Sequence, residues 1–545
     1  MPSLASLSPF DPIRSEPGRI TLDSGLNAAA SVWRLAAMVA WSLLVLLLVG
    51  CAALPPGVQR QPSLAIVDAA DTELSRAAQA ALPAEPGPLS GFRLLPGGDE
   101  AFATRLALAH KAQKSLDVQY YLIAADAAGA QFLRALRDAA ARGVRVRLLV
   151  DDLHAVEQDE RLASLAAHPQ VEVRLFNPLP LRSPALALRV LASLHEFERV
   201  NRRMHNKLFI ADNAWAVTGG RNIGNEYFMR GESANFIDMD VLAAGPAVRE
   251  LSQVFDRYWN SELAFPIASL TGPALPAGQA QQRFDALVAG SVDLMAPERV
   301  QADAALAGGN LKLHLAPARV LADVPSKALL GSGPDLPATA LDDALELLRQ
   351  ARSEVLIASP YFVPGPRGLA LMREAKDKGV RVAVMTNSAA ATDEPLAYWA
   401  YVRYRLDMLR LGVDLSEFNP QGSRQVSVLG EMRSSLARLH AKVAVADRRW
   451  LVVGSMNMDG RSSRSNTELG LAIDSPELAA ELAATLQQQW LAGNYRLRMS
   501  GQGERIEWVA TENERDVVHR VEPQVDWFVR LRLGLLSAFV SEDLL

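Results

Sequence analysis

Cysteine is almost absent from this chain of 545 residues, which contains only Cys51, and lysine is scarce, with eight residues beside 48 arginines. A lone cysteine excludes an internal disulfide framework, a zinc–cysteine site and a Cys-x-x-Cys redox pair. An excess of either charge is also missing, because 56 basic and 61 acidic residues leave a formal net charge of −5. This balance neither indicates nor excludes nucleic-acid binding. The length exceeds what one hydrophobic core supports, so we expect two domains or two fused halves.

Long uncharged runs are also rare, and one lies near the N-terminus, from Leu35 to Val49. Its 15 residues match the apolar region of a signal peptide better than a membrane span. The run continues into Gly50-Cys51, and the sequence LVGC resembles a bacterial lipobox, in which the cysteine carries the lipid. We therefore predict that residues 1–51 form a signal and lipobox segment with lipidation at Cys51. The alternative is an uncleaved membrane anchor, because residues 35–54 contain no charge.

Both alternatives place the rest of the chain outside the cytoplasm if Arg34 stays inside. Ala52 follows Cys51 where an Asp would indicate retention, so the lipobox resemblance implies an outer-membrane lipoprotein on the periplasmic face. An inner-membrane anchor is the alternative location. Residues 52–84, which include Pro55-Pro56-Gly57, are expected to form a tether.

The body of the chain contains one unit twice. The sequence RGVRV at 142–146 returns as KGVRV at 378–382, with an offset of 236, and His205-Asn206-Lys207 returns as His440-Ala441-Lys442, with an offset of 235. An offset this constant over about eighty residues indicates duplication. We predict units at 85–270 and 326–500, a linker or insert at 271–325, and a C-terminal tail at 501–545.

Each unit alternates apolar strand-like runs with amphipathic helical stretches. The strand-like runs are Leu116–Tyr121 and Val355–Ala358, and the helical stretches are Phe132–Arg142 and Leu369–Lys378. Both helical stretches are followed by a glycine, Gly143 or Gly379, which suits a helix C-cap. Strand–helix–strand alternation predicts an α/β fold in which helices cover both faces of each sheet.

The motif H-x-K-x-x-x-x-D occurs once in each unit. Its residues are His205, Lys207 and Asp212 in the first unit and His440, Lys442 and Asp447 in the second. Chance gives about 0.006 matches at this composition, so two matches in register exceed the false-positive risk of a short motif. Residues i and i+2 of a strand point to one face, so each His and Lys should face one cavity. Small-residue loops then end at Asn222 and Asn457, and the combined donors suit a phosphoryl group.

These motifs, with GGRNIGNEYF from 219 and GSMNMDGRSSRSNTELG from 454, resemble the phospholipase D superfamily. NRRMHNK from 201, SPYFVPG from 359 and TNSAAATDEP from 386 narrow the resemblance to the bacterial cardiolipin synthase C branch. The resemblance covers about residue 85 to 545. It implies two fused phospholipase D-type α/β/α units, related by pseudo-twofold symmetry, with one active site at their interface.

The resemblance also implies a two-step phosphatidyl transfer that needs no metal or other cofactor. His205 would attack phosphorus to form a phosphohistidine, and His440 would act as the general acid and base. Family spacing assigns Asp238 as the orienting carboxylate of His205 and Glu468 as that of His440. The groups expected to bind the non-bridging oxygens are those of Lys207, Lys442, Asn222 and Asn457. Asp212 and Asp447 are grouped with the catalytic residues as motif members, although we expect them to tie strand ends.

The predicted activity is cardiolipin synthesis from phosphatidylglycerol and a second phospholipid. The expected partners are phospholipid substrates and a membrane surface, and nucleic acid is disfavoured. A hydrolytic phospholipase D and a phosphodiesterase or nuclease remain alternatives within the fold, because motifs do not show whether an alcohol or water resolves the intermediate. A non-catalytic membrane scaffold is the alternative from another class, and the complete His, Lys and Asn sets in both units argue against it.

Overall fold

A computed structural model describes residues 33–34, 38–39, 53–84, 87–183, 185–272, 275–289, 296–307, 311–330, 338–420, 436–491, 494–501, 505–512 and 515–525. The chain divides into a unit at 1–53 and a unit at 54–545. Of the first unit only 33–34, 38–39 and residue 53 are described, and the two pairs are helical. Cys51 lies outside the described residues. In the part of the chain that is described, no helix combines the length and apolar character needed to cross a bilayer.

A mixed β-sheet forms the framework of the first half of residues 54–545. The strands of this half are β1 (Ser90–Leu95), β2 (Ser115–Tyr120), β3 (Arg145–Asp151), β4 (Val171–Phe176), β5 (Leu208–Ala211), β6 (Trp215–Gly219), β7 (Ala234–Ile237), β8 (Asp240–Ala244), β9 (Ala264–Pro266) and β10 (His314–Ala316). All except β7 join one sheet in the order β10-β1-β8-β6-β5-β2-β3-β4-β9.

Helices flank this sheet. They are α1 (Glu73–Ala81), α2 (Gly98–Lys111), α3 (Ala127–Ala141), α4 (Asp159–Ala166), α5 (Leu186–Ala192), α6 (Phe197–Val200), α7 (Pro246–Trp259), α8 (Ala268–Thr271), α9 (Ala277–Val288) and α10 (Ala296–Ala307). Side-chain caps fix two of their starts, because Thr72 accepts from the Ser75 amide and Asp126 accepts from the Gly129 amide.

The second half repeats this architecture. Its strands are β11 (Ala318–Ala322), β12 (Glu354–Ala358), β13 (Arg381–Asn387), β14 (Asp414–Phe418), β15 (Leu436–Leu439), β16 (Val443–Ala446), β17 (Trp450–Gly454), β18 (Leu469–Asp474), β19 (Tyr495–Met499), β20 (Ile506–Glu512) and β21 (Arg515–His519). All except β15 join one sheet in the order β11-β18-β17-β16-β12-β13-β14-β19-β20-β21.

The helices of the second half follow the same pattern. They are α11 (Lys327–Leu330), α12 (Ala340–Arg349), α13 (Gly365–Asp377), α14 (Pro395–Val402), α15 (Arg405–Arg410), α16 (Gly460–Arg464) and α17 (Pro476–Leu491). The predicted α/β fold with two repeated units is confirmed. Gly143 and Gly379, predicted to end the helices α3 and α13, have φ angles of +95° and +72°, which favour glycine.

An inner core joins the two halves. It contains buried side chains of both sheets, such as Ile210 and Val241 from the first and Val445 and Leu471 from the second, together with residues of α7 and α17. The opposite face of each sheet packs against its own helices in a separate cluster. Strands β7 and β15 add a direct link, because they pair in parallel with each other rather than with the large sheets.

Three segments predicted as a tether, a linker and a tail contain regular elements that pack on or extend the two sheets. The tether expected at 52–84 includes α1, where Leu74 is fully buried and its carbonyl accepts the Trp215 indole N–H at 2.9 Å. The linker expected at 271–325 contains β10, which extends the first sheet, and β11, which extends the second, with only Pro317 between them. The tail expected from 501 supplies β20 and β21 to the second sheet. These segments lie outside the internal repeat, so their sequences gave no sign of the sheets that they join.

Candidate active site

Strand pairing between the halves brings His440 beside Asp238. Leu439 at the end of β15 lies opposite Ile237 at the end of β7, and the His440 amide donates to the Ile237 carbonyl at 2.7 Å. The next residue on each strand therefore projects into the same space. His440 Nδ1 lies 2.5 Å from Asp238 Oδ2, and both side chains are buried.

The same arrangement occurs around His205 with the halves exchanged. Met204 and Thr467 form a parallel bridge, and the His205 amide donates to the Thr467 carbonyl at 2.9 Å. Glu468 follows Thr467, so its carboxylate lies beside the imidazole. The distance from His205 Nδ1 to Glu468 Oε2 is 3.0 Å.

The predicted pairing of histidines with carboxylates is therefore wrong. Asp238 was expected to orient His205 and Glu468 to orient His440, each within its own unit. In the structure each histidine bonds the carboxylate of the other unit. The physical reason is that the segment before each histidine pairs in parallel with the segment before the opposite carboxylate. A repeat offset matches positions between units but does not show which unit supplies the partner.

The motif lysines lie against the histidines. Lys207 Nζ donates to the His205 carbonyl and Lys442 Nζ to the His440 carbonyl, both at 2.6 Å. Lys442 Nζ is also 3.0 Å from His440 Nδ1. Both lysines are buried, and this burial lowers the pKa of each ammonium group. The strands β5 and β16 begin just after the lysines, so both motif pairs lie at a strand entrance rather than within a strand.

Both imidazoles are held neutral in this cluster. Burial, reinforced by Lys207 and Lys442, lowers the pKa of His205 to about 4. Burial and Lys442 likewise lower the pKa of His440 well below its ordinary value. A neutral imidazole whose Nδ1–H donates to a carboxylate carries a lone pair on Nε2, and in His440 this atom lies 3.2 Å from Lys442 Nζ. Each histidine can therefore act at Nε2 as a nucleophile or a base.

The two carboxylates differ in their surroundings. Burial favours the neutral form of Glu468, but His205, Lys207 and the Ser455 hydroxyl together lower the pKa of this carboxyl. Ser455 Oγ donates to Glu468 Oε2 at 2.5 Å. The equivalent of Ser455 in the first half is Gly220, where a Cβ atom would lie 2.1 Å from Asp238 Oδ1. Burial raises the pKa of Asp238 despite Lys442 and Arg221 nearby. Glu468 is thus held as the anion, whereas Asp238 and His440 can share a proton.

Asn222 and Asn457 complete the cluster predicted from the sequence. Both are buried, and within the described residues neither Oδ1 atom has a hydrogen-bond partner. Asn222 Nδ2 lies 2.9 Å from the Tyr227 hydroxyl. Rotating this amide by half a turn would let the Tyr227 hydroxyl donate to the oxygen and would present the NH₂ group to a ligand. The arrangement suits an anionic ligand with several oxygens.

Asp212 and Asp447 lie away from the histidines and lysines of their motifs. The Asp212 carboxylate accepts the amides of Gln113, Lys114 and Ser115 at the start of β2. The Asp447 carboxylate accepts the equivalent amides at the start of β12, from Arg352, Ser353 and Glu354. Each aspartate therefore holds a hairpin turn against the neighbouring strand. This role is structural, so neither Asp212 nor Asp447 is assigned to the catalytic residues.

Aromatic side chains that sequence reasoning missed form the walls beside the histidines. The Tyr121 ring lies 5.2 Å from the His205 ring and 5.3 Å from Lys207 Nζ. The Tyr227 ring lies 5.2 Å from the His440 ring. Tyr361 donates to Asp393 at 2.8 Å, and its ring lies 6.0 Å from Lys442 Nζ. Tyr227 belongs to the GGRNIGNEYF sequence and Tyr361 to SPYFVPG, so their positions in recognisable segments were the available signal.

Within the described ranges, no group of three His, Cys, Asp or Glu side chains could hold a metal ion.

Comparisons with known proteins agree with this geometry. Residues 106–259 and 344–490 match a family described as "Cardiolipin synthase, PLD-like domain". The chain is 36% identical over 484 residues to cardiolipin synthase C of Escherichia coli strain K12, which covers 87% of this chain and 100% of the relative. It is 31% identical to an uncharacterized protein of Helicobacter pylori strain ATCC 700392 / 26695, over 80% of this chain and 86% of the relative.

A solved structure shares the fold. It is the phosphatidylserine synthase of Haemophilus influenzae Rd KW20, with a TM-score of 0.52 and 14% sequence identity over 86% of this chain and 97% of that chain. Two matched domains, extensive identity to a full-length relative and a shared two-unit fold lead to one conclusion. The chain belongs to the phospholipase D superfamily, in the family of cardiolipin synthase-like proteins with two PLD-like domains.

Proposed function

We propose that this protein is a phosphatidyltransferase that makes cardiolipin from phosphatidylglycerol and a second phospholipid. The observation that carries the proposal is the shared cluster, in which two neutral histidines are each bonded at Nδ1 to a carboxylate and flanked by a lysine. One histidine can form a covalent bond to phosphorus while the other moves the proton of the alcohol. The similarity to cardiolipin synthase C of Escherichia coli supports the lipid product.

In the first step, His205 Nε2 attacks the phosphorus of the donor and a P–N bond forms. The P–O bond to the headgroup breaks, and His440 gives its proton to the departing alkoxide. A bound phosphodiester brings negative charge beside Lys207 and Lys442, which offsets the cationic field that disfavours a proton on His440. The raised pKa of Asp238 also favours retention of a proton by the Asp238–His440 pair.

In the second step, His440 takes the proton of the acceptor hydroxyl. The acceptor oxygen attacks phosphorus, the P–N bond breaks, and His205 is restored as a neutral imidazole. Lys207, Lys442 and the amides of Asn222 and Asn457 bind the non-bridging oxygens throughout. Their contacts strengthen as charge moves onto these oxygens in the transition states.

An exposed apolar segment that precedes His205 in the chain favours lipid substrates over nucleic acid. Helices α5 and α6 lie in residues 186–200, which end five residues before His205. Leu188, Leu194 and Phe197 in this segment are exposed by 44%, 52% and 42%. Exposed clusters of large apolar side chains are uncommon on proteins that contact only water. A phospholipid substrate supplies an apolar phase for such side chains.

For the location, we propose that the protein is exported and anchored to the membrane, on the periplasmic face, through a lipid on Cys51. The support comes from the sequence, where the only cysteine, Cys51, follows the apolar run at 35–49 and Gly50. An uncleaved N-terminal helix would give the same orientation with a different anchor.

Expression in a bacterial host that lacks cardiolipin tests the proposed activity. The intact chain should restore cardiolipin, and the His205→Ala chain should not. Accumulation of phosphatidic acid without cardiolipin would favour the hydrolytic alternative. Expression of folded protein with no change in any phospholipid would contradict the proposal.

A further inference from the structure

Lys327 is a buried cation outside both signature motifs. Its side chain is 2% exposed, and Nζ donates to Asp323 Oδ2 at 2.7 Å and to the Ser462 carbonyl at 2.8 Å. Removing a charge from water is costly unless its partners compensate, so a lysine in this position requires an explanation. Among the described residues, the hydrogen-bond partners of Lys327 are Asp323 and Ser462, and both lead to Glu468.

Asp323 connects Lys327 to the main chain of Glu468. Asp323 Oδ2, which accepts from Lys327, also accepts the Glu468 amide at 2.8 Å. The Asp323 amide donates to the Glu468 carbonyl at 3.0 Å. Both peptide groups of Glu468 are therefore held by Asp323. Lys327 neutralises the buried carboxylate that makes this clamp.

Ser462 connects Lys327 to the carboxylate of Glu468. The Ser462 carbonyl accepts from Lys327, while Ser462 Oγ donates to Glu468 Oε1 at 2.7 Å. Glu468 Oε2 is the oxygen that faces His205. The Lys327 ammonium group thus acts on Glu468 by two routes. Through Asp323 it fixes the backbone of Glu468, and through Ser462 it fixes the hydroxyl that orients the Glu468 carboxylate.

The first half holds Asp238 with a different cation. Arg221 is fully buried, and its guanidinium donates to the Leu95 carbonyl at 2.9 Å and to the Asp238 carbonyl at 2.5 Å. Leu95 ends β1, the strand that occupies the place of β11 in the first sheet. Each half therefore uses its own buried cation to fix the main chain of one catalytic-site carboxylate.

We propose that Lys327 is a positioning residue for His205, acting through Glu468, and that Arg221 has the corresponding role for His440, acting through Asp238. This inference rests on the proposed function. Because each carboxylate orients the histidine of the opposite half, Lys327 in the second half controls the nucleophile of the first. Partners that orient the groups in direct contact with a reacting centre commonly change activity by about 10- to 100-fold when removed.

The experiment compares Lys327→Met with Arg221→Met in the full chain. The probe is a phosphatidyl donor with p-nitrophenol as leaving group, which departs without help from a general acid. Rapid mixing measures the burst of p-nitrophenol that accompanies attack by His205. Lys327→Met should slow this burst by about 10- to 100-fold, whereas Arg221→Met should leave it within about threefold of the parent. With a phosphatidylglycerol donor, which needs protonation by His440, both variants should be slow.

A general loss of packing would not separate the variants in this way. Equal slowing of the p-nitrophenol burst in both variants, or no slowing in Lys327→Met, would overturn the inference. If Lys327→Met does not fold, as judged by thermal unfolding, Ser462→Ala takes its place, because it removes the hydroxyl that donates to Glu468 Oε1 and accepts the Asn457 amide at 3.0 Å. An unchanged burst in folded Ser462→Ala would then overturn the inference. A parent protein that gives no burst would contradict the proposed function itself.

Discussion

Glu468 Oε2 lies 3.0 Å from His205 Nδ1, although the two residues are 263 positions apart and belong to opposite halves. Asp238 and His440 make the reciprocal contact at 2.5 Å. Each half therefore supplies a histidine and a lysine to its own half-site and a carboxylate to the other. The candidate site is complete only when the two halves are packed together.

Glu468→Gln should slow formation of the phosphatidyl-enzyme by about 10²- to 10⁴-fold, because an amide N–H facing Nδ1 favours the wrong imidazole tautomer. Asp238→Asn should instead slow transfer from donors with poor leaving groups. These donors need protonation of the leaving alcohol by His440, which Asp238 orients. The burst with a p-nitrophenyl donor measures the first effect. Glu374→Gln, which changes an exposed carboxylate paired with Arg349, is the matched control. A burst lost in Asp238→Asn and kept in Glu468→Gln would contradict the exchange of carboxylates between halves.

Formation of the phosphatidyl-enzyme should tolerate mild acid. Burial lowers the pKa of His205 to about 4, so the nucleophile stays neutral at pH 5. The burst rate should be nearly constant from pH 7 to pH 5 and fall below that, whereas an ordinary imidazole with a pKa near 6.5 would lose about 30-fold by pH 5. A burst that declines from pH 6.5 downward would contradict the burial of the nucleophile.

The same shift has a consequence for stability. The unfolded state takes up a proton on His205 below about pH 6.5, and the folded state does so only near pH 4. Folded protein therefore binds fewer protons in this window, so its stability should decrease as the pH falls. The loss from this group reaches about 1.4 kcal/mol per pH unit.

Asp447→Ala should reduce stability more than catalysis. The substitution leaves the amides of Arg352, Ser353 and Glu354 without their carboxylate acceptor, at a cost of about 1–3 kcal/mol. Thermal unfolding should begin at a lower temperature, while the burst rate measured well below that temperature should remain close to that of the parent. Loss of the burst in folded Asp447→Ala would instead indicate a direct role in the chemistry.

Lipid attachment tests the proposed location. Cys51→Ser removes the only thiol of the chain, so it should abolish incorporation of a labelled palmitate analogue and release the protein from the membrane fraction. The unchanged parent provides the positive control. Equal labelling of the two proteins would contradict the lipobox interpretation, and membrane retention of unlabelled Cys51→Ser would favour the uncleaved anchor.

The sequence predicted the parts of the fold that the duplication marks. The helices before Gly143 and Gly379 and the strands that precede these helices were recognisable because both copies kept the same pattern. Helix α1 and the strands β10, β20 and β21 were misjudged, since the helix packs against a distant strand and the strands extend sheets formed by distant segments. Local patterns do not specify such partners.

The site, like the fold, was predicted only in part from the sequence. The histidines, lysines and asparagines were found from motif spacing, and the carboxylates Asp238 and Glu468 from family spacing. Their pairing was wrong because it is set by parallel contacts between the halves, at Ile237 with Leu439 and at Met204 with Thr467. The buried Lys327 gave no signal in sequence, because its role depends on Asp323 and Ser462, which meet it only in the folded chain.

Trapping the phosphatidyl-enzyme tests the division of labour between the two histidines most directly. Parent, His205→Ala and His440→Ala proteins are mixed with a phosphatidyl donor that carries a radiolabelled acyl chain and a p-nitrophenol leaving group, then quenched and separated from free lipid. We expect label that appears on the parent and is then lost by turnover, label that persists on His440→Ala, and no label on His205→Ala. Label on His205→Ala, with none on His440→Ala, would show that His440 is the nucleophile and would contradict the assignment of His205.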